Sequence, residues 1–249
     1  MDYINSITEA IGHTPLLKLN NIGKDLKANL FVKLEYLNPS GSYKDRMALA
    51  MIDAAQEGHT WNGRRLEKGG VVIEASAGNT APAVSMVCAA RGYDAHIYLY
   101  RYQMEDPKNT RLQITRSFGP EVKVSSEPHV YFTEEQIEEF SKKAPDLLHV
   151  LAAKKDCQLE EDSLENAVWL DQIYNPYNYI GQEALGEEIF AQLDGHIDAV
   201  GCSTSSGASL YGMIRGLQHN GVRPEVIFGV EPEGSEKFFD FEGKEARYG

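Results

Sequence analysis

Short runs of β-branched and aliphatic residues alternate with helix-length segments along most of this chain, and that alternation constrains the fold more than any other feature. Residues 30–34 read as a strand, followed by a helix that runs on to about Gly58. A short strand at 71–73 leads to a helix at 81–90, closed by Gly92. Strand 95–100, helix 107–118, strand 121–124 and an acidic, solvated helix at 133–143 follow. The second half repeats the rhythm, with helices at 164–174 and 182–193, strand 197–202, helix 208–219 and strand 226–230. Strands that alternate with helices imply βαβ units and a mostly parallel sheet, so the class is α/β.

Composition narrows the function classes. A chain of 249 residues is long enough to bury a core as one large domain or two small ones. Its net charge of −13 argues against a nucleic-acid partner. Cys88, Cys157 and Cys202 are odd in number and form no CxxC pair, which fits a reducing cytoplasm better than a disulfide scaffold. The N-terminal stretch carries acids and lacks the apolar run of a secretory signal. No stretch approaches the roughly 20 apolar residues of a spanning helix, so no membrane partner is expected. The histidines show no metal-ligand spacing, and no metal is expected.

Three polar loops lie between strands and helices, where open parallel sheets bind their ligands. The first, Asn38-Pro39-Ser40-Gly41-Ser42-Tyr43-Lys44, delivers a lysine to a helix start, with Ser42 and Asp45 in capping-box register. Read alone, Lys44 is either a surface lysine in a first helical turn or an amine placed for Schiff-base chemistry. The second loop, Ser76-Ala77-Gly78-Asn79-Thr80, is either a nest for a carboxylate or phosphate or a simple N-cap. The third, Ser203-Thr204-Ser205-Ser206-Gly207-Ala208-Ser209, is either a phosphate cradle at a helix N-terminus or a Ser-rich turn. Neither GxxxxGK followed by Ser or Thr nor GxGxxG occurs, which disfavours an NTPase or a dinucleotide enzyme. A lysine, a carboxylate nest and a phosphate nest are together the parts that hold pyridoxal 5'-phosphate and an amino acid.

With those loops in place, the sequence resembles the fold-type II pyridoxal-phosphate enzymes, especially the cysteine synthase and cystathionine β-synthase group. IGHTPLLKL (11–19) resembles that group's opening I-G-x-T-P-L-x-x-L, and FVKLEYLNPSGSYKDR (31–46) its cofactor-lysine segment. EASAGNT (74–80) resembles its substrate loop, IDAVGCSTSSGASLYG (197–212) its phosphate loop, and FGVEPEGS (228–235) the strand and turn beyond. The resemblance implies two open parallel-type sheets wrapped by helices, with the C-terminal part short or missing. It implies a larger cofactor-phosphate domain from 1–36 plus 150–249, and a smaller domain from 37–149 carrying the substrate loop.

Carried over residue by residue, the resemblance makes Lys44 the internal-aldimine lysine that later shuttles the α-proton. Asn79 would bond the cofactor's 3′-oxygen, and Ser205, Ser206, Gly207, Ala208 and Ser209 would hold its phosphate. Ser76, Ala77, Gly78 and Thr80, with Gln172, would grip the substrate carboxylate. The implied reaction is β-replacement on an O-activated serine or similar amino acid, through an aminoacrylate, in a cytoplasmic homodimer. Elimination or deamination, a threonine-synthase-like activity, and a shortened homologue that binds without turnover stand as alternatives.

The departures from the family pattern are specific. Ser205 and Ala208 replace the usual glycines of the phosphate loop, so its backbone is expected to adapt at positive-φ positions. Ala77 replaces a serine and Ala81 a common glycine, which points to a relative with a different amino-acid substrate. The Ser or Thr that usually bonds the pyridine nitrogen has no counterpart before Gly249.

Overall fold

The computed structural model describes residues 3–106, 108–143, 145–204, 206–231 and 233. Its strands are β1 (Leu16–Leu19), β2 (Leu30–Lys33), β3 (Val71–Ala75), β4 (Asp94–Leu99), β5 (Glu121–Val124), β6 (Ala167–Trp169), β7 (Ala199–Ser203) and β8 (Val226–Val230). Its α-helices are α1 (Lys44–Gln56), α2 (Thr80–Arg91), α3 (Arg101–Glu105), α4 (Thr110–Ser117) and α5 (Glu134–Lys143). They continue with α6 (Pro145–Ser163), α7 (Tyr177–Ile180), α8 (Glu183–Gln192) and α9 (Ala208–His219). The α/β class holds, and the chain divides into two units.

The first unit comprises the described residues of Met1–Thr14 and Glu35–Tyr177. Its sheet is parallel in the order β5-β4-β3-β6. Alternation along β3 sends Val72 and Ile73 to opposite faces. Val72, Ile97 and Val168 pack with Met47, Met51, Val84 and Val87 of α1 and α2. Ile73, Ala167 and Trp169 pack instead with Cys157 of α6. Both faces are covered, as a parallel sheet requires. Helix α2 is buried from Thr80 through Cys88, consistent with its all-round apolar sequence. Its end comes where Gly92 takes a left-handed φ of 74° and its N–H returns to the Cys88 carbonyl.

Several local expectations are corrected. Residues 164–174 are not a helix: Leu164, Ala167 and Val168 mimic helical spacing, but β6 pairs in parallel with β3 through Val71↔Ala167 and Ile73↔Trp169. The helix lies upstream, in α6, whose apolar residues are scattered around its circumference and leave no stripe to read. The expected helix at 107–118 is α4, started by Asn109, whose Oδ1 accepts the Leu112 N–H at 3.1 Å; Pro107 lies outside the described residues. The two units also divide the chain differently from the expected boundary at residue 150. Pairing of β6 with β3 places α6 and β6 in the first unit, together with residues preceding Pro15.

The second unit comprises the described residues of Pro15–Leu34 and Asn178–Gly249. It holds the antiparallel pair β1–β2, which the sequence did not announce as two strands, and the parallel pair β7–β8. Lys33 at the end of β2 donates to Glu188 of α8 at 2.6 Å. Leu185, Ile189, Val200, Met213 and Leu217 form its core. Helices α8 and α9 approach so closely that a Cβ on Gly216 would be driven into the Glu183 carbonyl, and one on Gly186 into the Met213 carbonyl. Gly216→Ala is therefore expected to lower stability by about 1–3 kcal/mol, measurable as a drop in thermal midpoint of roughly 2–4 °C per kcal/mol.

Candidate active site

Lys44 is the first residue of α1, and the loop before it is held by a polar network reaching back to residue 12. Asn38 Oδ1 accepts the Gly12 N–H at 2.8 Å, while its amide donates to the Glu35 carbonyl at 2.8 Å and to Glu35 Oε2 at 3.0 Å. Glu35 takes both Nε and Nη2 of Arg46 at 2.8 Å, and the Thr14 hydroxyl at 2.6 Å. Burial pushes the Glu35 carboxyl up, but these bonds outweigh it and hold the group below its ordinary value. The opening motif and the lysine motif, separate in sequence, are thus one piece of structure.

The capping-box expectation is corrected. Asp45 is fully buried and turns back on Ser40, accepting its N–H at 2.7 Å and its hydroxyl. Ser42 Oγ instead accepts the Lys44 N–H at 3.2 Å. Gly41, at φ 93°, makes the turn that allows this. The Lys44 side chain is half-buried, with Nζ 5.0 Å from the Tyr43 ring centroid. Among the described residues its amine makes no ion pair. Burial lowers its pKa, the Glu74 carboxylate opposes this, and burial wins. Burial thus favours the neutral form of this amine more than water does.

The second loop follows β3, and α2 begins at its last residue, Thr80. Ser76 Oγ accepts the Gly78 N–H at 3.2 Å. The Thr80 hydroxyl donates to Gln172 Oε1 at 2.6 Å, and Gln172 Nε2 donates to the Ala75 carbonyl at 3.3 Å. The structure therefore brings Gln172 to the loop across a large gap in sequence. Asn79 Oδ1 accepts from Arg111 Nε at 3.0 Å, a contact the sequence did not point to. Since arginine only donates, that contact orients the amide with its NH2 end away from Arg111.

Glu74, inside the EASAGNT motif, is the other residue that sequence reasoning passed over. It is fully buried, accepting the Ala75 N–H at 3.0 Å and the Gln172 N–H at 3.1 Å. Burial, reinforced by Asp171, raises its pKa to about 8, against the backbone bonds and Lys154. At neutral pH it is mostly protonated, which weakens its hold on the Lys44 amine.

The third loop belongs to the second unit. It follows β7, with the Thr204 N–H bonded to the Val230 carbonyl at 2.9 Å. Gly207 has φ 79° and sits directly before α9, and Ser206 Oγ lies 3.5 Å from the Ala208 N–H. The expected backbone adaptation at Ala208 is not needed: the positive φ falls on Gly207, and Ala208 opens the helix in ordinary helical geometry. Ser205 lies outside the described residues. Among the described residues no cluster of side chains is arranged to hold a metal, and no helix is long and apolar enough to cross a membrane.

The model of the pyridoxal-phosphate dependent enzymes matches residues 7–248. The chain belongs to that family. It is 34% identical to cysteine synthase 1 of Emericella nidulans over 94% of its own length and 56% of that protein's. It is 31% identical to cysteine synthase of Staphylococcus aureus over 93% of this chain and 66% of that one. The solved structure of a hydrogen sulfide-producing enzyme from Fusobacterium nucleatum superposes with a TM-score of 0.73 at 27% identity, covering 94% of this chain and 68% of that one. A cysteine synthase from Entamoeba histolytica shares the fold, with a TM-score of 0.75 at 24% identity over 98% and 65% of the two chains. The chain thus spans little more than half the length of the Emericella relative.

Each unit, taken by itself, holds groups whose chemistry suits part of the family's cofactor. In the first unit Lys44 supplies an amine of lowered pKa that makes no ion pair among the described residues; in the second, the start of α9 supplies backbone N–H groups behind a left-handed glycine. The buried Glu74 carboxyl beside the loop at 76–79 leaves a stability signature. The Glu74 pKa is raised in the folded chain, so the stability it contributes is full below its ordinary 4.5 and is lost as pH rises toward about 8. Glu74→Gln is expected to flatten that slope, which one group sets at no more than about 1.4 kcal/mol per pH unit, in urea unfolding followed across this range.

Proposed function

We propose that this chain carries out, or contributes the catalytic lysine to, β-replacement on an O-activated serine or a similar amino acid. The observation that carries the reading is Lys44: a half-buried amine of lowered pKa, without an ion pair among the described residues, on a loop held by Glu35, Arg46, Asn38 and Gly12. Cysteine synthases among its relatives support the reaction class.

Lys44 holds the cofactor covalently and moves the substrate's α-proton. Asn79 offers its NH2 end to the cofactor's 3′-oxygen, since Arg111 occupies its carbonyl. Ser206, Gly207, Ala208 and Ser209 take the phosphate at the start of α9, with Ser205 added from the sequence. Ser76, Ala77, Gly78 and Thr80, with Gln172, receive the substrate carboxylate. The bound cofactor supplies the electron sink that lets the β-substituent leave and a nucleophile add. Cytoplasmic residence and a homodimer complete the reading, from the cysteine usage and the family.

Protein purified with pyridoxal phosphate is expected to show the visible absorbance of a covalently held cofactor. Lys44→Ala should lose that band, along with turnover by roughly 10²–10⁴-fold; an unchanged spectrum refutes the assignment. A new amino acid among the products identifies replacement, whereas ammonia and a keto acid identify elimination.

A further inference from the structure

Gln172 follows Asp171, one of three non-glycine residues with a left-handed φ among the described residues, at 46°. Such a conformation persists only when its surroundings hold it. Here they do. Lys154, mounted on α6, donates to both carboxylate oxygens of Asp171, at 2.9 and 3.0 Å. Its ammonium also lies 5.3 Å from the Trp169 ring and 4.2 Å from the Tyr174 ring, so one cation touches the segment at three points around Gln172. The Asp171 carbonyl accepts the N–H groups of Tyr174 and Asn175, at 3.1 and 2.9 Å, and Asn175 Nδ2 returns to the Leu170 carbonyl at 2.8 Å.

The geometry points to Lys154 and Asp171 as positioning residues for recognition of the substrate's α-carboxylate, an inference that rests on the proposed role of Gln172. The pair is largely buried, with side chains 16% and 13% exposed. A buried ion pair is a poor device for stability alone, because the desolvation of both charges offsets their attraction. Its effect here is directional. With Asp171 clamped in the left-handed region, the next residue leaves the turn with its N–H on Glu74 and its side chain between Thr80 and the Ala75 carbonyl. Released to ordinary φ, Asp171 turns the backbone and carries the Gln172 amide away from Thr80. Lys154 itself touches neither Thr80 nor the loop at 76–79 through any bond described; its hydrogen bonds reach the segment through Asp171, and its charge also acts on Glu74, which accepts the Gln172 N–H.

The test uses cofactor-loaded protein, with L-serine binding measured by titration calorimetry and the cofactor absorbance recorded alongside. Lys154→Met is expected to weaken L-serine about tenfold and to leave the cofactor band unchanged, and Lys154→Arg should restore most of the affinity. Lys154→Met/Asp171→Ala leaves no unpaired buried charge, so it decides the matter even where the single variant does not fold. Its loss should itself be about tenfold, no greater than that of Lys154→Met where that variant folds, as expected for two residues acting as one unit. Gln172→Ala serves as the reference. If Gln172→Ala weakens binding while the Lys154 variants stay within about twofold of the native protein, the positioning inference is overturned alone. If Gln172→Ala binds L-serine normally, the carboxylate reading and this inference fall together. A matching loss of the cofactor band in Lys154→Met also overturns it, since that signals general damage.

Discussion

Parallel pairing of β3 with β4 on one side and β6 on the other is the constraint on which the first unit rests. One strand sets the register of both neighbours, and its two faces anchor the α1–α2 core and the α6 core. Its last residues then hold a distant segment by hydrogen bonds. Glu74 receives the backbone of Gln172, Ala75 receives its side chain, and the chain runs straight into the loop at 76–79. Because β6 ends beside β3, the segment that carries Gln172 emerges where the loop at 76–79 emerges. The site is thus a consequence of strand order, as ligand sites of open parallel sheets generally are.

A second layer of order is polar. Glu35 and Arg46 form a two-pronged, buried pair joined by Thr14 and Asn38, and this network ties Gly12 to the turn that ends at Lys44. Planar guanidinium–carboxylate pairing fixes direction as well as distance, which holds the loop before Lys44 in one shape. The lysine itself is left outside that network. Charges used to build the loop are satisfied by one another, whereas the amine stays half-buried, with its pKa lowered.

The second unit solves a different problem with small residues. Gly186 and Gly216 let α8 and α9 meet backbone to backbone, and Gly207 turns the chain into α9 so that its first N–H groups stand at the end of β7. That economy explains why Ala208 is tolerated where the family pattern has glycine. The left-handed demand sits one residue earlier, at a position that remained glycine. On β8, Val226, Ile227, Phe228 and Val230 stand exposed, in a chain covering little more than half of its Emericella relative.

Much of this was legible because it is local. A strand running into a small polar loop and then a helix leaves its signature within a dozen residues, so β3, α2, α9 and β8 and the three loops stood in the sequence. The residues that resisted reading act over distance. Residues 164–174 have helical spacing, and only the ladder to β3 makes a strand of part of them. Asp45 stands in capping register with Ser42, yet bonds Ser40 once burial removes water as its partner. Glu74, Arg111 and Lys154 carry no local mark, since each matters through a partner that only folding delivers. The α/β class and the order of the three polar loops, with Lys44 at the end of the first, were written in the sequence, because propensity and turn chemistry lie in neighbouring residues. Tertiary structure alone decided which distant groups surround those loops and how burial sets their charge, because desolvation and hydrogen bonding depend on what is near in space.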